Sequence, residues 1–178
     1  MATALDFMLH SWQPPEEGFI KCNSDGSYRE ESQVMGSGGV LRDHRGKWLG
    51  GFYSKVPDNP LASPFMAEAC ALRDVLRLAW DQGHRKIRCE TDCANLVSTL
   101  EDGDNLHLHS AYSVLFSIKE LLTRNWLVTL NVISRECNKA VDYLAKLGAA
   151  AATTDFWVLN QPDVELEVLL IKDSDVAS

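Results

Sequence analysis

Residues 18–27 read Gly-Phe-Ile-Lys-Cys-Asn-Ser-Asp-Gly-Ser. The first half alternates apolar and polar side chains, the period of a strand with one buried face. The second half brings an Asp-Gly pair, which ordinarily marks a turn. Read this way, a strand over residues 19–24 runs out at Asp25. What that aspartate does there depends on the elements that follow.

Two more strand signals come at once, at residues 34–42 (VMGSGGVLR) and 47–56 (KWLGGFYSKV), joined by a turn at Asp43-His44-Arg45-Gly46. Connections this short make the three an antiparallel meander. Gly36, Gly38 and Gly39 weaken the middle strand intrinsically and predict either close approach of another element or a bulge. A helix then opens with Ser63 as N-cap and Pro64 in first position, and Phe65, Ala69, Leu72, Leu76 and Ala79 share one stripe. Gly83 closes it. Residues 86–92 (KIRCETD) predict a fourth strand, and residues 93–102 a short helix. Residues 110–124 predict another helix, 126–134 a fifth strand and 137–150 a last helix. This order, β-β-β-α-β-α-α-β-α, predicts an α/β domain with a mixed sheet of five strands flanked by helices. The bounds expected are an N-terminal segment over 1–17 lying across the domain, the domain itself over 18–151, and a tail over 152–178. Within the tail, ELEVLLI (165–171) reads as a strand or a packing segment, and KDSDVAS (172–178) as a frayed end.

The chain has 178 residues, 46% apolar and 24% charged, the profile of a soluble globular protein. No apolar run approaches the length of a membrane span, so no membrane partner is expected. The opening MATALDFMLH lacks a basic start and carries Asp6 in its short apolar patch, so it does not read as a secretory leader. Five cysteines (Cys22, Cys70, Cys89, Cys93, Cys137) stand singly with no C-x-x-C pair. That pattern predicts free thiols in a reducing intracellular compartment, cytoplasm or nucleus. The net charge of −8 excludes a protein that grips nucleic acid by overall charge alone. A polyanionic ligand would need a local basic groove or bridging cations. Lys21, Lys86 and Arg88 read as a solvated face or a small basic patch. His107 and His109 lack a third ligand nearby and read as a surface loop. Trp48, Trp80 and Trp126 fall in apolar-periodic segments and read as core rather than as base-stacking platforms. A monomer is the default expectation.

Four acids stand at element ends or on packing faces. Asp25 ends the first strand, and Glu68 sits in the first turn of the long helix at the margin of its apolar stripe. Asp92 ends the fourth strand, and Asp142 lies one turn after Asn138 in the last helix. Ligands collect at strand ends in open α/β sheets, and Asp25 meets Asp92 if the first and fourth strands are neighbours. Each acid also has an ordinary role open to it: turn former, first-turn acid, N-cap or solvated surface residue.

PPEEGFIKCNSDGS, MGSGGVLRDHRGKWLGGF, PFMAEACALRDVLRLAWDQG, IRCETDC and VISRECNKAVDYLAKLG, taken in series from Trp12 to Gly148, resemble the ribonuclease H domain of plant retroelement polyproteins and their stand-alone relatives. The resemblance implies the ribonuclease H-like fold and matches Asp25, Glu68, Asp92 and Asp142 to that family's metal-binding catalytic acids. It implies two Mg²⁺ (or Mn²⁺) ions, an RNA–DNA hybrid or other nucleic acid as partner, and endonucleolytic hydrolysis of the RNA strand. Carboxylates suit such ions because Mg²⁺ prefers oxygen ligands, and a two-ion site serves phosphodiester hydrolysis. Asn23, Asn95 and Asn138 are candidate substrate contacts. The loop before Asp142 is Ser-Arg-Glu-Cys-Asn, without the histidine that many cellular relatives carry there. With the acidic charge, this departure leaves open a second reading: a non-catalytic module of the same fold that binds nucleic acid or a protein.

Overall fold

The computed structural model describes residues 11–175. Strands β1 (Ile20–Arg29), β2 (Val34–Arg42) and β3 (Trp48–Val56) form the antiparallel meander. β4 (Lys86–Thr91) joins the free side of β1 in parallel, and β5 (Leu127–Val132) extends the sheet in parallel beyond it. The sheet has six strands rather than the expected five. β6 (Phe156–Leu159), in the tail, pairs antiparallel with β3 and gives the order β5-β4-β1-β2-β3-β6. Its backbone hydrogen bonds and the stacking of Phe156 on Phe52 and Trp157 on Tyr53 secure a strand only four residues long. Such pairings depend on a distant partner, which periodicity within the tail does not reveal.

β1 also corrects the reading of Asp25. The Asp-Gly pair makes no turn: β1 runs on to Arg29, with Asp25 opposite Gly38 on β2. The parallel ladder to β4, however, stops at Asn23 opposite Glu90. Asp25 therefore stands where β1 leaves β4 while still held by β2.

The helices are α1 (Pro64–Asp81), α2 (Ala94–Asp102), α3 (Tyr112–Leu122), α4 (Lys139–Ala150) and α5 (Val164–Ser174). α1 starts as the sequence predicts: the Ser63 hydroxyl accepts from the Met66 amide at 3.0 Å, with Pro64 in the first position. α1 packs on β1 and β2, with α3 against it. The resulting core includes Leu72, Leu76, Ile87, Leu115 and Ile118. α4 covers β1 to β3 on the other face, where Val40, Val141, Leu144 and Leu166 form a second cluster. The glycines of β2 serve close approach rather than a bulge at their own positions. A Cβ on Gly36 or Gly38 would overlap the backbone of α4 around Ala145 and Ala149.

The tail packs on the domain, and over 165–171 it is helix α5 rather than a strand. α5 lies on α4, burying Leu166 completely and Asp173 to 2% exposure. Residues 172–174 are helical rather than frayed. At the other end of the chain Trp12, not Trp48, Trp80 or Trp126, is the buried tryptophan, at 4% exposure under the Arg42 guanidinium. Trp80 and Trp126 pack edge to face and are half-buried. Lys21 is no solvated residue: it is buried, paired with Glu90 at 2.6 Å and bonded to the Gln13 carbonyl. Among the described residues no helix is long and apolar enough to cross a membrane. The readings of the first ten residues and of the last three lie outside the described residues.

Candidate active site

The neighbour relation of β1 and β4 brings Asp25, where the two strands part, beside Asp92 just past the end of β4, and α1 adds Glu68, which lies beyond its first turn rather than in it. Two local features make this possible. Thr91, fully buried, accepts from the Cys93 amide through its hydroxyl at 3.1 Å, turning the chain at Asp92 as β4 ends. Gly26 lets α1 approach β1 closely, because a Cβ there would overlap the Ala67 carbonyl carbon and the Glu68 amide nitrogen. Asp25 and Glu68 meet because the residue between strand and helix has no side chain. The outcome is a cluster in which Asp25, Glu68 and Asp92 each offer a carboxylate oxygen within 4.8 Å of the others.

The electrostatics follow from that crowding. Burial, and then the Glu68 charge, push the Asp25 carboxyl far above the usual carboxylate range. Burial also raises Glu68, to about 7, although its hydrogen bond with Asp25 and the Gly26 amide work the other way. Burial raises Asp92 too, opposed by Arg135, whose Nε lies 3.4 Å from Asp92 Oδ2. Glu68 Oε2 is buried with no hydrogen-bond partner among the described residues. Buried acceptors are rarely left so. An oxygen-rich, cation-poor pocket of this kind suits a hard divalent ion.

Asp142 is near but not within the trio. Its charge raises both Asp25 and Asp92, while its own carboxylate pairs with Lys146 at 2.6 Å, one turn along α4, and it is half-exposed. Of the three asparagines, Asn95 is exposed at the start of α2. Asn23 is 1% exposed, accepting from Trp12 Nε1 at 2.9 Å and donating to Glu90 at 2.9 Å. Asn138 is likewise 1% exposed and donates to the Ser24 carbonyl at 3.0 Å. These buried side chains tie elements together, Asn23 joining Trp12 to Glu90 and Asn138 holding the start of α4 to Ser24. Arg135 is the residue near the cluster whose placement sequence reasoning did not resolve. It is carried on a short 3₁₀ turn (Arg135–Cys137), and only the folded loop shows that it reaches Asp92. His109 accepts from the Ala111 amide and packs on Phe65, away from any metal cluster.

Known proteins share this arrangement of elements. The sequence pattern of a family described as reverse transcriptase-like matches residues 23–148. An Arabidopsis thaliana protein provisionally named a ribonuclease H protein is 30% identical over 137 residues, covering 75% of this chain. The chain spans only 21% of that relative's length. Ribonuclease H1 of the halophilic archaeon Halobacterium salinarum superposes with a TM-score of 0.66 at 20% identity, over 74% of this chain and 98% of that one. The ribonuclease H1 called LC11, solved with an RNA/DNA hybrid, superposes with a TM-score of 0.65 at 18% identity, over 74% and 96%. Sheet order, the matched segment and these likenesses agree: the chain belongs to the reverse transcriptase-like family and has a ribonuclease H-like α/β fold.

Proposed function

We propose that this protein is a metal-dependent endonuclease that hydrolyses the RNA strand of RNA–DNA hybrids. The observation that carries the reading is the convergence of Asp25, Glu68 and Asp92, from β1, α1 and the end of β4, with ligand oxygens within 4.8 Å. Acids held this close repel one another when charged, and a divalent cation joining them would relieve that repulsion. Asp25, Glu68 and Asp92 would hold Mg²⁺ or Mn²⁺, with Asp142 as the fourth acid beside them. Bound there, two such ions would supply an activated water and charge neutralisation at the phosphate and leaving oxygen.

The chain's own residues do the rest of the work. β1 and β4 fix Asp25 and Asp92 rigidly from adjacent strands, and the Gly26 contact fixes Glu68 against them. The Asp92 partner, Arg135, is a guanidinium with 90% of its side chain exposed. It partly offsets the local negative charge toward which a phosphodiester must move. Asn95, exposed at the α2 start, would touch a substrate; Asn138 would act through the Ser24 backbone it tethers, and Asn23 through the Trp12 and Glu90 side chains it joins. The family relative and the hybrid-bound LC11 enzyme support hybrid as the substrate class.

A second reading draws on one observation. Asp142 is paired with Lys146 outside the trio, as would suit a non-catalytic module that binds nucleic acid or a protein. One assay separates the two. A labelled hybrid is incubated with Mg²⁺ or Mn²⁺ beside single-stranded and double-stranded controls, with the parent and Asp25→Asn. Cleavage of the RNA strand by the parent alone supports the enzyme. Hybrid binding without cleavage in either metal supports the module.

A further inference from the structure

The start of α4, one turn before Asp142, is set by a residue outside the family-matched segment. Asp173, near the end of α5, accepts hydrogen bonds from the Lys139 and Ala140 amides through its two carboxylate oxygens, each at 3.0 Å. These are first-turn amides, which a helix leaves without internal partners. The residue at the N-cap position ordinarily satisfies them, and asparagine is among the best for it. Here that residue is Asn138, yet its side chain makes no cap bond. Its amide nitrogen is committed to the Ser24 carbonyl, one residue from Asp25, and its Oδ1 is buried without a partner among the described residues. Two tasks are therefore divided between two residues. Asp173 caps α4, and Asn138 binds the helix to β1 beside the acid cluster.

Asp173 is itself firmly held. Its backbone carbonyl accepts from the Trp12 amide at 2.6 Å, and Leu166 anchors α5 among Val40, Ala140, Val141 and Leu144. Segments from both sides of the matched domain thus meet at the start of α4. Were the Asp173 carboxylate absent, the buried Ala140 amide and the part-buried Lys139 amide would lack an acceptor, a costly state. Asn138 could replace it only by turning Oδ1 onto the helix and releasing Ser24.

We propose that Asp173 is a positioning residue: by capping α4 from α5 it keeps Asn138 on Ser24, and so fixes the first turn of α4, with Asp142, relative to Asp25. The tether stands on its own geometry; its consequence for metal binding rests on the function proposed above.

The test uses the full chain and three variants: Asp173→Ala, Asp173→Asn, and Leu115→Ala as a destabilised control on the opposite face of the sheet. Amide-resolved NMR follows the Asn138 side-chain NH₂ and the Lys139 and Ala140 amides. A melt titration with Mn²⁺ alone, without nucleic acid, follows the metal midpoint. In Asp173→Ala the Asn138 signal moves to that of a freed amide and the Lys139 and Ala140 amides exchange roughly five- to tenfold faster, the size of a lost cap. The Mn²⁺ midpoint rises severalfold, and Asp173→Asn, which keeps one acceptor, recovers part of each change. Leu115→Ala melts lower and alters none of them. An unmoved Asn138 signal in both Asp173 variants overturns the proposal. So does a Mn²⁺ midpoint that shifts no further in Asp173→Ala than in Leu115→Ala. If the parent shows no response to Mn²⁺, the metal reading has failed, and the Asn138 signal alone decides the tether.

Discussion

Asp25 and Glu68 are joined by the side chain that Gly26 lacks, so the smallest possible substitution there carries a large expected effect. Gly26→Ala drives a methyl into the backbone of α1 at Ala67 and Glu68, and should cost on the order of 3 kcal/mol in urea unfolding while removing any stabilisation by Mn²⁺. A loss below about 0.5 kcal/mol would show that α1 does not rest on β1 there. The acids themselves should separate into two kinds. Asp92→Asn relieves repulsion inside the cluster and should stabilise the metal-free protein by about 1 kcal/mol, despite losing Arg135. Asp142→Asn removes a half-exposed charge paired with Lys146 and should stay within about 0.5 kcal/mol. Melts in EDTA measure both, and equal effects would contradict the geometry. The trio was legible in the sequence through the resemblance rather than through element ends, since β1 continues past Asp25 to Arg29 and Glu68 lies beyond the first turn of α1. The fate of Asn23 and Asn138 was not, because Trp12, Glu90 and Ser24 become their partners only through the tertiary fold.

At the scale of elements, periodicity located β2 to its end residues and placed α1 with its cap, since both signals lie inside the element. It misread the Asp-Gly of β1, where pairing with β2 through Gly38 overrides turn propensity. It missed β6, whose reason for being a strand is the exposed edge of β3. The same elements govern the thiols. Cys22 on β1 and Cys89 on β4 are register partners in the sheet core, Cys70 lies in the α1 interface, and Cys137 is buried beside α4. Cys93, at the N-terminal end of α2, is the half-buried one. All five are free. Thiol titration of the native protein should therefore modify Cys93 first and the others only on unfolding, reaching five under denaturing, non-reducing conditions. Burial raises the Cys93 thiol, so even that reaction should be slow at neutral pH. A native count of two or more fast thiols would contradict the packing.

The molecule as a whole carries an acidic charge and concentrates part of it in one buried cluster, which makes both pH and salt informative. In the metal-free protein Asp25 and Glu68 hold protons more tightly when folded than unfolded, so the folded state binds more protons and stability falls as pH rises. Their contribution is complete below about pH 4, where unfolded carboxyls titrate. It declines through the Glu68 value of about 7. Melting in EDTA should drop by roughly 4–8 °C between pH 5 and pH 8, and Mg²⁺ should flatten the slope by replacing protons with metal. A melting temperature that rises over that range would mean the acids do not share a pocket. Salt tests the remaining question, how an acidic chain holds a polyanion. Of 17 lysines and arginines against 25 acids, several are already committed within the fold: Lys21 to Glu90, Arg73 to Asp74, Arg88 to Glu16, Arg135 to Asp92 and Lys146 to Asp142. The other twelve stand in a chain of net charge −8, and each one that displaces a counterion from a nucleic acid would steepen the dependence of affinity on salt. Hybrid binding by Asp142→Asn, which keeps the trio intact, should therefore need Mg²⁺. At fixed Mg²⁺ its log–log salt slope should be no steeper than about −3. A slope near −6 or beyond, or binding undiminished in EDTA, would place a continuous basic groove on this surface and make the metal secondary to it.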